Sequence, residues 1–425
     1  MHSICGHTTG SETRMQDHDE YPLTPYDEYP VHQAPYPVSY VPATDYAWDE
    51  GYFYGVYSAD AQVLMLTGMR INPNADVIGA HVGVNVCGRQ RTARLSRTWR
   101  QQCYTAVGGL RYDVIESYRD IRLTMATNEA GIAFDLHWLG LGPPHLSSHH
   151  LATVRGRRTT DQSRYNQTGT ARGWIEVAGE RFEVEPGKWG GCRDHSWGIY
   201  EARPPLAPDP KWLPPPDRCG PQRALRFSMF FAAGEYAGHL HLHEDTEGRQ
   251  VPMNDAFGIP FEGGIDTGFE RPGLRLASCR HELEFVPGTR SLRRGVVRMT
   301  DVNGGAWTCE FDVAWPAAPV IQCGYHLGSW RDGGTIATYH GPADPYFEWD
   351  EFDFAKQPVE HTLYGQMAPR KVYGVEHVAR LRLVTPDGRS LDGQGEIEVF
   401  LNGRYAPYGF EDQAPQGGLT GRGVL

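Results

Sequence analysis

Between residues 188 and 200 the chain reads KWGGCRDHSWGIY, so that Arg193, Asp194, His195, Ser196 and Trp197 are bracketed by Gly190-Gly191 and Gly198. A guanidinium, a carboxyl and an imidazole in succession are groups that move protons and set local charge, and the flanking glycines let the backbone bend or approach a neighbour closely. In an extended segment, period two puts Arg193, His195 and Trp197 on one face and Asp194 with Ser196 on the other; both sets line one pocket only if the strand is bulged. A buried Asp beside Arg and His is a candidate proton donor or orienting carboxylate, since desolvation raises a carboxyl pKa and a cation lowers it. The competing reading is an Arg–Asp pair pinning a domain junction under a Trp lid, because structural ion-pair networks produce the same cluster.

A second constellation is HLHLHE at 239–244. On a strand His239, His241 and His243 share one face, and two His spaced by one residue reach a single metal ion, which makes the three a weak alternative metal site. No third-ligand partner or orienting carboxylate is identifiable beyond that strand, Glu244 faces away, and a hydrogen-bonded His ladder explains the pattern equally. His145, His149 and His150 follow a Pro pair and read as exposed loop residues. Tyr165 and Gln167, two apart on a strand, are placed to turn polar groups into an apolar cavity, although core hydrogen bonding accounts for them too. Asn166-Gln167-Thr168 fits a glycosylation acceptor but is too short a pattern to carry weight.

The elements that must position these residues are strands. QVLMLTGM (62–69), VIGAHVGVNV (77–86), YDVIESY (112–118), IRLTMAT (121–127) and IAFDLHWL (132–139) are strand-length runs parted by Gly, Pro or Asn. RGWIEVAG and ERFEVEPG (172–187) form a hairpin about Gly179-Glu180. Eight prolines between Arg203 and Pro221 make a semi-rigid spacer. Beyond it, strand texture resumes at 224–233, 236–244, 279–286, 295–302, 306–313 and 395–402; residues 372–384 read as a short helix or a strand. The expected architecture is all-β, with two β-barrels or curved sandwiches at 46–202 and 222–410. They follow a Pro/Tyr-rich arm at 1–45, are joined by the 203–221 spacer, and precede a tail at 411–425.

The string RDHSWG, with IAFDLHWLGLGPP, YNQTGTARGWIEVAG and GERFEVEPGKWG before it and GVEHVARL and DGQGEIEV in the carboxyl half, resembles a family of two-domain lipocalin-like proteins, AttH-like and distantly akin to hydroxyneurosporene synthase, a carotenoid hydratase. The resemblance implies two packed lipocalin-like domains, an apolar ligand space, and proton chemistry at Asp194 and His195 with Arg193. Trp197, Tyr165, Gln167, Trp138 and His137 are the expected substrate contacts. It implies a cofactor-free hydratase or dehydratase acting on a bulky apolar molecule such as an isoprenoid, steroid or polyketide; a non-catalytic carrier or a substrate-templating cyclase are the alternatives.

Composition bounds these readings. The chain has 425 residues, 40% hydrophobic and 22% charged, with 50 Gly and 31 Pro, a content that suits turns better than long helices. Its net charge of −12 argues against a general nucleic-acid surface. No apolar run spans a bilayer and the amino terminus carries no secretory pattern; eight scattered Cys without a C-x-x-C pair suit the reducing cytoplasm. The partner expected is an apolar small molecule, with no nucleic acid and no membrane span, and a homodimer stays open. Neither a phosphate loop, a dinucleotide fingerprint nor a G-x-S-x-G elbow occurs.

Overall fold

The computed structural model describes residues 23–411 except 33, 155, 201–222, 253–260, 315–322, 326–328, 355–360, 364–369, 373 and 402. Residues 1–22 of the arm, the Pro-rich spacer and all but the first residue of the 411–425 tail therefore lie outside the described residues. No α-helix occurs among the described residues, and none is long and apolar enough to cross a membrane.

The strands in chain order are β1 (Trp48–Ser58), β2 (Val63–Asn72), β3 (Val77–Val86), β4 (Arg89–Thr98), β5 (Ala106–Val107), β6 (Leu110–Glu116), β7 (Asp120–Met125), β8 (Ile132–Gly140), β9 (His145–Leu146), β10 (His150–Val154), β11 (Arg157–Val177), β12 (Glu180–Val184), β13 (Gly190–Tyr200), β14 (Arg223–Ala233), β15 (Tyr236–Asp245), β16 (Gln250–Val251), β17 (Phe261–Asp266), β18 (Leu274–Phe285), β19 (Leu292–Asp301), β20 (Ala306–Val313), β21 (Tyr346–Asp353), β22 (His361–Leu363), β23 (Arg370–Val372), β24 (Gly374–Val384) and β25 (Ser390–Leu401). The segment at 372–384, ambiguous from its pattern, is strand.

Two lipocalin-like domains result. The first is a half-barrel in the order β21-β4-β3-β2-β1-β13-β11-β8-β7-β6-β5, with β9, β10 and β12 paired onto the long β11. Its concave side holds Tyr54, Val56, Met65, Met69, Leu123, Leu136 and Trp138 in one apolar cluster. The second runs β14-β25-β24-β20-β19-β18-β17-β15, with β16 paired onto β15, and closes on itself through β14–β15 pairing. Phe227, Met229, Phe231, Leu240, Leu242, Met299 and Trp307 fill its interior.

The hairpin at 172–187 turns on Ala178-Gly179, one residue earlier than its sequence suggests. Both residues have positive φ, 54° and 82°, the backbone twist that two-residue hairpin turns require.

The convex side of the half-barrel meets the barrel through Tyr57, Leu64, Leu66 and Cys192 packed on Phe230, Val378 and Phe400. β2 is consequently buried on both faces along its whole length, which explains its nearly unbroken apolar run. β21 belongs to the half-barrel although it lies within 222–410: it pairs with β4, where Arg94 Nε donates to Glu348 Oε1 at 2.7 Å.

Candidate functional site

β13 runs between β1 and β11 with no register shift in either ladder. Tyr52 and Tyr165 stand opposite His195, and Tyr54 and Gln167 stand opposite Arg193. The strand is not bulged, so alternation divides the RDHSW run between two environments. Arg193, His195 and Trp197 face the concave side of the half-barrel, while Asp194 and Ser196 face the barrel. Gly191 is needed here: a Cβ would stand 2.7 Å from Trp138 Nε1 and 3.1 Å from the Gly169 carbonyl carbon.

On the concave side His195 is held at both ring nitrogens. Nε2 lies 2.9 Å from Glu50 Oε1 and Nδ1 lies 3.1 Å from the Tyr165 hydroxyl. Its ring stacks on Tyr52, with centroids 4.2 Å apart, and meets Trp197 edge-on at 5.4 Å. Partial burial opposes ionisation of Glu50, but the hydrogen bond and charge of His195, joined by the Tyr52 hydroxyl, outweigh it and hold the carboxyl below its usual range. Burial pushes the Tyr165 hydroxyl well up against the pull of Arg193, so it stays protonated. With Glu50 ionised and Tyr165 neutral, the tautomer that fits both bonds has its proton on Nε2, donating to Glu50 and accepting from Tyr165 at Nδ1. A histidine oriented by a carboxylate in this way is equipped to relay protons.

Arg193 lies deeper on the same side. Its Nε donates to Gln167 Oε1 at 2.8 Å, and Gln167 Nε2 donates to the carbonyls of Tyr118 at 2.8 Å and Gly142 at 2.6 Å. Trp138 is fully buried beneath the guanidinium. Of the expected substrate contacts, Trp197, Tyr165, Gln167 and Trp138 thus gather on the concave side. His137 does not: alternation along β8 turns it away from Trp138, and it pairs with Asp120 at 2.7 Å, half-exposed.

Asp194 is on the opposite face from His195, so the imidazole does not orient its carboxyl. Asp194 Oδ2 stands 3.8 Å from Arg164 Nη1, and Ser196 accepts from Arg70 Nη1 at 3.0 Å. This polar layer faces the outer surface of the barrel. There His239, His241 and His243 share one face as their spacing implies, but they do not form a metal centre. His241 Nε2 accepts from Arg226 Nε at 3.2 Å, and among the described residues no group of three or more His, Cys, Asp or Glu could hold a metal ion. Burial, reinforced by neighbouring positive charges, pushes the His239 and His241 pKa values well down. His145 is not a free loop residue either; its Nε2 lies 2.6 Å from Asp266 Oδ2 and ties β9 to the barrel.

A cavity of about 350 Å³ lies at another part of the half-barrel, lined by Leu95, Met125, Pro345 and Phe347 among others, and shares no residue with β13. Sequence reasoning missed Glu50, Tyr52 and Tyr54 on β1 and Tyr118 at the β6–β7 turn. The period-two pattern of WDEGYFYGVYS was the available signal, for it places Glu50, Tyr52 and Tyr54 on one face. The amino-terminal arm contributes Tyr26, whose hydroxyl bonds the Thr105 side chain within electrostatic reach of Glu50.

Fold and site together define a two-domain antiparallel β protein with an ionisable, aromatic-lined concave face. The chain belongs to a family of unknown function, DUF8625, whose model matches residues 23–411. Similar solved structures include CghA with Sch210972 (8% identity, 86% of this chain and 89% of that chain covered, TM-score 0.43). Kievitone hydratase from Nectria haematococca is 9% identical, with 90% and 96% covered and a TM-score of 0.38. A putative AttH from Nitrosomonas europaea is also 9% identical, with 87% and 97% covered and a TM-score of 0.44. None of the curated proteins compared with the chain matches it.

Proposed function

We propose that the protein is a hydro-lyase that adds water to, or removes it from, a bulky and mostly apolar unsaturated molecule of isoprenoid, steroid or polyketide type, using its own side chains as acid and base. The observation that carries the reading is His195 held between Glu50 and Tyr165 on a face walled by Tyr52, Tyr54 and Trp197. In this reading His195 takes the proton from water or from the carbon being deprotonated, Glu50 supports the resulting imidazolium, and Tyr165 holds the ring plane. The aromatic wall binds the apolar body and screens the reaction from bulk water. Asp194, across the strand, stays outside the reacting face and contributes to domain docking.

The test is turnover of unsaturated isoprenoid, steroid and polyketide compounds in isotopically labelled water, read by mass spectrometry. H195Q is expected to lose about 10²–10⁴-fold in rate, the usual share of a general acid–base group, whereas D194N keeps the native rate. The reverse result would move the chemistry to the domain junction. Tight retention of a compound with no label entering it would make the protein a carrier.

A further inference from the structure

Five arginines are buried among the described residues, and four of them are answered by negative charge or by carbonyl oxygens. Arg70 faces Asp49, and Arg94 faces Glu348 and Asp350. Arg97 donates to the carbonyls of Thr98, Trp99, Gln102, Tyr104 and Ala106, and Arg290 to those of Leu401 and Glu411. Arg193 differs. It is 3% exposed, and its protein partners are the Gln167 side-chain oxygen and, at 3.4 Å, the Tyr54 hydroxyl. Nη2 is buried with no hydrogen-bond partner in the protein. The carboxylates nearest in sequence and register do not serve it, because Asp194 points to the opposite face and Glu50 is bonded to His195.

Four rings surround the guanidinium: Trp138 and Tyr165 with centroids at 5.1 Å, Tyr54 at 5.8 Å and Tyr118 at 5.9 Å. Their negative faces offset part of the desolvation cost, but they carry no net charge and accept no strong hydrogen bond. Nor does the fold need the cation to join two elements, since the Arg193–Gln167 bond links neighbours already paired in the β11–β13 ladder. Tyr118, on the turn between β6 and β7, is 45% exposed, the most exposed of the four rings.

We infer that Arg193 is an anion anchor and that the ligand presents to it a planar conjugated carboxylate. The inference rests on the concave face being the ligand site and narrows the substrate to an apolar molecule with an unsaturated carboxylate head. Bound with that carboxylate on Arg193, the double bond conjugated to it lies toward His195. His195 removes a proton from water, the water oxygen bonds to the far alkene carbon, and the alkene electron pair moves through the near carbon into the carboxylate C=O, giving an aci-carboxylate dianion whose oxygens Arg193 holds. The same proton then returns from the imidazolium to the near carbon. Loss of water is the reverse.

The probes are naphthoate and naphthalenemethanol, equal in ring system and different in charge, titrated into the full chain with indole fluorescence as the readout. The native protein is expected to prefer naphthoate by about tenfold or more, the worth of a charge-assisted hydrogen bond in a buried setting. R193M, or R193Q if the Met variant does not fold, is expected to reduce that preference to less than about twofold. Parity between the probes in the native protein overturns the anchor, as does a preference that survives removal of the guanidinium. Turnover of H195Q is read separately, so an anion preference with H195Q fully active overturns only the acid–base reading, and a turnover loss without anion preference overturns only the anchor.

Discussion

At the scale of single residues, two groups of ionisable side chains lie on opposite faces of the half-barrel sheet, one on its concave side and one at the domain junction. The concave group has its partners in Glu50 and Tyr165. The group at the domain junction contains a second feature, the carboxyls Glu376 on β24 and Glu396 on β25, each 2% exposed. Burial raises the pKa of Glu376 well above the ordinary glutamate value, and the charges of Glu396 and Glu398 add to the rise. Burial likewise raises Glu396 toward neutrality, with Glu398 adding to it and with Glu376, the Cys192 thiol and Arg226 pulling against it. Tyr57 from β1 lies close to Glu396 across the junction. The folded protein therefore holds a proton that the unfolded chain releases above about pH 4.5. Stability is fully present below that point and is lost as pH rises toward neutrality, by at most about 1.4 kcal/mol per pH unit for one group. E396Q, which keeps the shape without the charge, is expected to flatten that slope between pH 5 and 7 and to raise the melting temperature on the alkaline side. Thermal melts across that range check it, and an unchanged slope would place the proton elsewhere.

Strand alternation is the controlling fact at the scale of elements. β13 serves two faces because it is unbulged and has a neighbour on each side, and its glycines let it lie close to both. Gly191 clears Trp138 and the β11 backbone, so G191A is expected to force β11 and β13 apart at a cost of about 2–3 kcal/mol, within the usual range for overpacking a filled core. A urea midpoint lowered together with loss of anion binding would show that the strand spacing sets the site. A midpoint equal to native would mean the neighbouring indole moves aside freely. The hydrophobic runs on β2 and β3 read as strands, and β1 carries a period-two pattern, whereas β4 and β21 do not show themselves as strands. β4 reads RQRTARLSRT and looks solvated, yet Arg94 is buried because Glu348 arrives from a strand 254 residues away.

For the whole molecule, the interleaving of the two halves matters most. The chain leaves the barrel after β20, covers the convex face of β2–β4 with Tyr325 bonded to His81 at 2.8 Å, adds β21 to the half-barrel, and returns to the barrel as β24. The two domains are consequently expected to unfold together. Arg94 and Glu348 are both 2% exposed on their side chains, and E348Q leaves the buried guanidinium with Asp350 as its remaining acid. E348Q is expected to cost about 1.5–3 kcal/mol, the worth of a buried hydrogen bond to a charged group, seen as one lowered denaturant transition common to both domains; two separate transitions would show that the domains melt independently.

Local pattern alone determined the all-β class, since period-two apolar runs cut by Gly and Pro admit little else, and it determined that Asp194 and His195 part company on an unbulged strand. Only the tertiary structure decided which strands meet, because backbone ladders pair with little regard to side-chain identity and a sequence records no partner. Glu50 reaches His195 across 145 residues for that reason. The same cause hides how the two sides differ: alternation says that Arg193 and Asp194 differ in environment, but the curl of the sheet is what makes one environment a concave aromatic wall and the other a domain junction.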